Sequence, residues 1–221
     1  TLEDNVAHFD LHNIKIIENR GVINLLDEIV RYMPTANERK NSLATDLDAD
    51  EITNVECEED GPFAAQVFKT VYDPYTGKLN YIKIFRGRLK SGMTVYNPNS
   101  GVEERIGQIF VLRGKKAELV NELTAGDIGA VNKLTATDTG NTLCAVGTKI
   151  VFDPIRFPRP CLSLAVKSAN KGEEDKMFAG FSKMLEEDYT FSIDKSADTG
   201  ELILSGQGEI HLEVLAKKLK A

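Results

Sequence analysis

The 221-residue sequence holds only three cysteines, Cys57, Cys144 and Cys161, which lie 87 and 17 residues apart with no CxxC pair among them. That spacing argues against a disulfide framework and a zinc knuckle, and it fits a reducing cytosol. No apolar run approaches the ~20 residues needed to span a bilayer, so no membrane association is expected. The first residues carry no basic, apolar, small-residue pattern of a secretory signal. Chemistry-bearing motifs are also missing. There is no GxxxxGK[ST] phosphate loop, no NKxD-like base-reading run, no GxSxG elbow and no HExxH. His8 and His12 stand at i, i+4, a spacing that aims two ligands at one metal, but no third ligand is arranged with them, and no metal is expected. Catalytic residues are not expected in this chain either. Its length is enough to bury roughly 70–75% of the unfolded surface without staples.

What the sequence does have is charge, unevenly spread. The formal net charge is −7. Residues 1–60 hold 5 Lys/Arg against 15 Asp/Glu, residues 61–155 hold 12 against 8, and residues 156–221 hold 10 against 11. The acidity therefore belongs to the front of the chain, above all to 46–60, with eight acids and no base. The middle is net basic and suits a polyanionic partner, although ordinary surface variation gives the same balance.

Along the chain, Val22, Leu25, Leu26, Ile29, Val30 and Met33 form one helical stripe stopped by Pro34. Residues 34–60 read as a polar, acidic linker with at most one short strand. From 61 to about 152, turn signals recur at Asp73-Pro74-Tyr75-Thr76-Gly77, Ser91-Gly92, Asn97-Pro98-Asn99-Ser100-Gly101, Arg113-Gly114-Lys115, Ala125-Gly126-Asp127 and Asp138-Thr139-Gly140-Asn141. β-rich runs at 63–71, 79–89, 93–96, 104–112 and 128–134 lie between them, which predicts an antiparallel barrel. After Pro154, Pro158 and Pro160 the order becomes a strand at 161–167, a helix at 173–187, a hairpin from 189–194 and 201–204, and a helix at 208–220. That β-α-β-β-α sequence predicts a ferredoxin-like module lacking its last strand. With Thr1 at the front and a helical Lys217-Lys218-Leu219-Lys220-Ala221 at the back, a piece of a longer chain is expected.

Two sets of residues stand out for binding. In a regular strand over 79–90, Arg86, Arg88 and Lys90 point to one face, about 7 Å apart, near the spacing of successive RNA phosphates. Arg113, Lys115 and Lys116 add a second basic cluster on a loop. The same cations also serve as solvated charge that keeps a strand edge from aggregating, and a bulge at Gly87 would flip the register. Gly206-Gln207-Gly208 sits between a strand and a helix. It is either an anion cradle of backbone N–H groups or a tight turn that needs positive φ. His211 reads as a packed or surface histidine.

These residues also carry a resemblance. Gly61-Pro62-Phe63-Ala64-Ala65-Gln66-Val67-Phe68-Lys69, Asp73-Pro74-Tyr75-Thr76-Gly77-Lys78-Leu79, Leu89-Lys90-Ser91-Gly92 and Glu104-Arg105-Ile106-Gly107 closely resemble the second domain of bacterial elongation factor G. So do Ala125-Gly126-Asp127-Ile128-Gly129-Ala130-Val131 and Thr139-Gly140-Asn141-Thr142-Leu143-Cys144. Glu186-Glu187-Asp188-Tyr189-Thr190-Phe191, Thr199-Gly200 and Ser205-Gly206-Gln207-Gly208-Glu209-Ile210-His211-Leu212-Glu213 resemble its third domain. Asn19-Arg20-Gly21-Val22 and Leu25-Leu26-Asp27 are similar to the last helix of its GTPase domain. Departures are Tyr189 where the family has Pro, Gln207 where it has Met, Arg113-Gly114-Lys115 in place of His-Ala-Asn, and Lys15-Ile16 near the place of its Ser-Ala signature.

The resemblance implies a multi-domain chain. Residues 1–45 would be the end of a GTPase domain and a linker, 46–153 a translation-factor β-barrel, and 154–221 an incomplete ferredoxin-like third domain. It implies a ribosome-dependent GTPase as parent protein, driving movement of tRNA and mRNA, with GTP and magnesium bound outside this chain. It also implies partners: small-subunit ribosomal RNA and protein, and the GTPase domain of the same chain. A cytoplasmic monomer without membrane or DNA partners is expected. Arg86, Arg88, Lys90, Arg105, Arg113, Lys115 and Lys116 become candidate RNA contacts. Ser205, Gly206, Gln207, Gly208 and His211 become an interdomain or ribosome-facing turn. The departures suit a ribosomal-protection or stress paralogue as well, and a remote alternative is a phosphate-ester-binding enzyme domain using the 206–208 turn.

Overall fold

The structure, a computed structural model, describes residues 21–38, 42–73, 77–114, 116–168 and 172–220. His8, His12 and Lys15-Ile16 lie outside the described residues, as does Lys115. The chain divides into two compact units, Thr1–Arg39 and Lys40–Ala221.

In the first unit, helix α1 (Val22–Tyr32) begins after Gly21, whose φ of 80° interrupts the backbone, and closes where the Met33 N–H donates to the Ile29 carbonyl at 2.9 Å. Pro34 then prevents continuation. The stripe read from the sequence is there, yet no residue of α1 is buried, and Val30 is 83% exposed.

The second unit opens with two strands where the sequence predicted a linker. β1 (Ser42–Asp46) and β2 (Glu51–Val55) form an antiparallel hairpin, and β13 (Ile150–Phe152) pairs on the other side of β1. Alternation places Ala44 and Val55 inward, packed with Ala64, Cys144, Ile150 and Phe152. The acids that suggested a linker build the turn instead. Asp46 Oδ1 accepts the N–H groups of Asp48 at 2.9 Å and Ala49 at 3.3 Å, and Asp50 takes the left-handed conformation at φ 54°.

The barrel follows. Its main antiparallel sheet runs β7-β6-β12-β3-β4-β11-β8-β9, and a separate ribbon pairs β5 with β10. The long strands are β3 (Ala64–Asp73) and β4 (Gly77–Arg86), followed by β5 (Arg88–Lys90), β6 (Thr94–Asn97) and β7 (Val102–Arg105). Then come β8 (Ile109–Arg113), β9 (Lys116–Val120), β10 (Glu122–Thr124), β11 (Ile128–Asn132) and β12 (Thr142–Ala145). Inward residues at alternate positions, among them Val67, Ile82, Ile84, Leu89, Ile109, Val131 and Leu143, are fully buried in one cluster. Each such side chain contributes roughly 1.5–3 kcal/mol by leaving water. The 104–112 run divides into β7 and β8, because Asn132 Oδ1 takes the Gln108 N–H at 2.8 Å between them.

Buried Glu104 organises the loop after β11. It accepts the N–H groups of Thr135 at 2.6 Å and Ala136 at 2.9 Å, together with the hydroxyls of Thr135 and Thr137. Burial by itself raises a carboxyl pKa, but these four donors outweigh it and hold Glu104 below the usual range.

The ferredoxin-like domain comprises β14 (Leu162–Val166), α2 (Glu174–Met184), β15 (Ser192–Lys195), β16 (Leu202–Gly206) and α3 (Glu209–Lys220). Its sheet order is β14-β16-β15, all antiparallel. Phe181 from α2 and Leu212 and Leu215 from α3 pack on Phe191, Ile193, Leu202 and Leu204 of the sheet side. No helix among the described residues is long and apolar enough to cross a membrane.

Candidate nucleic-acid interface

The three-cation face expected on one regular strand is not formed, because the strand breaks at its centre. Gly87 sits between β4 and β5 at φ 77°, and its N–H donates to the Glu58 carbonyl at 2.7 Å. A Cβ there would lie 2.7 Å from both the Gly61 carbonyl oxygen and Phe63 Cα, so only glycine fits this approach. Arg86 is left at the end of β4, where its Nε donates to the Pro62 carbonyl at 3.0 Å. Arg88 and Lys90 flank buried Leu89 and therefore share the outer face of β5.

Neither of those two cations is uncompensated. Arg88 pairs with Glu59 and lies 3.7 Å from Glu122, while Lys90 lies 3.8 Å from the same Glu122. The β5–β10 register explains the shared partner, since Glu122 stands opposite Lys90. All four side chains remain at least a third exposed, so these are water-accessible pairs, close between Arg88 and Glu59 and longer to Glu122. Arg105, on β7, donates from Nε to the Gly92 carbonyl at 3.2 Å.

Of the second cluster, Arg113 and Lys116 sit at the tip of the β8–β9 hairpin. Arg113 and Lys116 face each other in register across Gly114, which has φ 61°. Both are exposed, and Arg113 lies 3.7 Å from Glu118. Two further lysines escaped the sequence reading. Lys69 Nζ lies 5.7 Å from the Tyr81 ring and Lys83 Nζ 5.1 Å from the Phe85 ring. The alternation Tyr81, Lys83, Phe85 along β4 was the available signal.

The 205–211 turn is built as a brace rather than a cradle. Neither Gly206 nor Gly208 takes a positive φ, contrary to the tight-turn expectation. Gly206 is favoured by contact instead, because a Cβ there would stand 2.7 Å from Leu212 Cδ2. The Gln207 N–H, which an anion would need, donates to His211 Nδ1 at 3.1 Å. That leaves the ring proton on Nε2, which donates to Asp188 Oδ2 at 3.2 Å. Asp188 also accepts the Thr190 N–H at 2.8 Å and hydroxyl at 2.6 Å. Burial raises its pKa, and the Thr190 and His211 bonds more than reverse this, so it stays below the usual carboxylate range. With both ring nitrogens occupied, His211 holds the turn in place. Ser205 shares a hydroxyl–hydroxyl bond of 2.8 Å with Ser163 across the β14–β16 pair. Among the described residues, no group of three His, Cys, Asp or Glu side chains is placed to hold a metal ion.

Two family models match this chain in adjacent stretches: elongation factor G domain 2 over residues 62–146, and Elongation Factor G, domain III, over residues 157–221. The chain belongs to the elongation factor G family. A crystal structure of a protein from Thermus thermophilus is similar at 29% sequence identity and a TM-score of 0.71, over 91% of this chain. The chain spans 28% of the length of that protein. Within the elongation factor G framework, the two departures in the third domain acquire definite places. Tyr189 stacks on Phe157, with ring centroids 5.3 Å apart and planes 21° from parallel. Gln207 Nε2 donates to the carbonyls of Thr190 at 2.9 Å and Pro158 at 3.3 Å. Both substituted side chains thus reach the segment that joins the third domain to the barrel.

Proposed function

We propose that this chain is the ribosome-docking section of a translational GTPase that promotes GTP-dependent movement of tRNA and mRNA. The barrel lies on small-subunit RNA, and the third domain relays nucleotide state. The observation that carries the reading is the succession of elongation factor G second and third domains, with exposed cations on the barrel. In the free protein Arg88 and Lys90 are matched by Glu59 and Glu122, and on RNA they exchange these carboxylates for phosphates. Arg86, Arg105, Arg113, Lys115 and Lys116 are the remaining candidate contacts. The Lys69 and Lys83 pair extends this basic set along the sheet.

GTP and magnesium belong to a separate nucleotide-binding domain of the parent protein, since this chain offers no phosphate loop for them. The partners are the small ribosomal subunit and the GTPase domain, and the setting is a cytoplasmic monomer. A second reading is a ribosomal-protection or stress paralogue that displaces a bound ligand, which Tyr189 and Gln207 suit equally, both contacting the segment that joins the two domains.

The test is binding of the chain to purified small ribosomal subunits across a salt series. Affinity is expected to fall by orders of magnitude between roughly 50 and 200 mM salt as counterions are released. Absence of binding, or binding indifferent to salt, would overturn the docking reading.

A further inference from the structure

Tyr72, near the end of β3, meets the third domain through three of its parts at once. Its backbone N–H donates to Glu187 Oε1 at 2.7 Å, and its hydroxyl donates to the Glu186 carboxylate. Its ring lies 5.2 Å from Lys183 Nζ. Lys183 belongs to the last turn of α2, and the two glutamates follow that helix directly. The segment is hydrogen-bonded. The N–H groups of Glu186, Glu187 and Asp188 donate to the carbonyls of Lys183 at 3.2 Å, Met184 at 3.1 Å and Met184 at 3.1 Å. These bonds seat the backbone of Glu186, Glu187 and Asp188 together on the end of α2.

Asp188 is committed in the other direction, to Thr190 and His211, and His211 in turn holds the Gln207 N–H. Three consecutive acids thus form a continuous set of contacts from the barrel to the helix-opening turn of the third domain. The Tyr72 pKa is pushed up to about 12. The bond to Glu186 contributes most, followed by burial and the charges of Glu186, Asp138 and Glu187. The hydroxyl therefore remains a donor throughout the neutral range.

We propose that Glu186-Glu187-Asp188 is a mechanical joint, gripped by Tyr72, which couples the orientation of the barrel to the 205–211 turn of the third domain. When the barrel rotates, Tyr72 draws on the two glutamates, the hydrogen-bonded segment moves Asp188, and His211 transmits the change to Gln207. The coupling is reciprocal, so loosening the turn also loosens the barrel's seat. A two-way joint of this kind lies beyond the docking reading, and its test needs no ribosome, so either can fail without the other.

The experiment uses the whole 221-residue chain in solution. Residual dipolar couplings of backbone amides report whether barrel and third domain share one alignment, and hydrogen exchange reports on the Gln207 amide. The native chain is expected to fit one alignment tensor with a protected Gln207 amide. Tyr72→Phe with Glu187→Ala removes the hydroxyl bond and the backbone acceptor while keeping the ring under Lys183. It should give separate tensors and Gln207 exchange at least tenfold faster. Tyr72→Phe alone, which preserves volume and folding, should give several-fold faster exchange. Glu213→Ala, which breaks only the Lys217 pair within α3, should change neither. One shared tensor with unchanged exchange in the double variant overturns the joint. Separate tensors with unchanged Gln207 exchange overturn the coupling.

Discussion

The β5 ribbon of the barrel and the 205–211 turn of the third domain treat their polar side chains in opposite ways. On the barrel's β5 ribbon, half-buried Arg88 and exposed Lys90 share Glu122 at 3.7 and 3.8 Å, and Arg88 also pairs with Glu59 at the surface. In the third domain, Asp188, His211 and Gln207 are half-buried and linked in a row, His211 meeting Asp188 through one ring nitrogen and the Gln207 N–H through the other. Loose exposed pairs add little to stability and are free to exchange partners. A saturated network rigidifies its surroundings and loses much when one member is removed. The contrast separates a surface suited to meeting a polyanion from a cluster suited to holding a shape.

The sharpest way to break that comparison is to remove the support beneath the third domain's network. Phe181→Ala deletes the largest fully buried side chain of its core, a loss of about 3–5 kcal/mol. Denaturation followed by hydrogen exchange should show the third domain opening well before the barrel. Simultaneous loss of both would mean that they unfold as one body.

The next effect tests whether the barrel is loose throughout. Glu104→Ala leaves the N–H groups of Thr135 and Ala136 without their acceptor in a partly buried loop, a cost of about 1–2 kcal/mol visible in urea titration. The contrast therefore concerns the barrel's outer cations and excludes its interior.

Acid should act on both regions. Glu104 and Asp188 each have a folded pKa below the unfolded carboxyl value. Their contribution is fully present above the unfolded pKa and is lost as pH falls through the folded one. Thermal stability should therefore decline on acidification below about pH 4–5, and less steeply in a Glu104→Gln variant. The smallest effect belongs to Arg88→Ala with Lys90→Ala, which should move stability by no more than about 0.5 kcal/mol.

Much of this organisation was legible in the sequence, and the failures share a cause. The α1 stripe, the barrel's turn signals among the described residues and the β-α-β-β-α order are local patterns, and the structure places them as expected. The 42–55 hairpin was missed because its acids resemble a solvated linker, whereas its strands are fixed by a partner about 100 residues later, where Ala44 pairs with Phe152. The cationic strand departs from a regular one for a similar reason. Arg88 meets Glu59 and Glu122 only through strand pairing, and Gly87 breaks the strand because the backbone of 61–63 crosses it. The 205–208 turn was recognised as a feature, but His211 and Asp188, which occupy its backbone donor and orient the ring, come together only in the fold. Tyr72 gave no sequence signal, since its partners lie more than 110 residues away.

The most direct test of the account compares the salt dependence of small-subunit binding between the native chain and Arg88→Ala with Lys90→Ala. If both cations trade their carboxylates for phosphates, the log–log salt slope should become shallower by about 1.4–1.8, with weaker binding at every salt concentration. An unchanged slope and unchanged affinity would contradict the assignment of β5 as the RNA-facing strand.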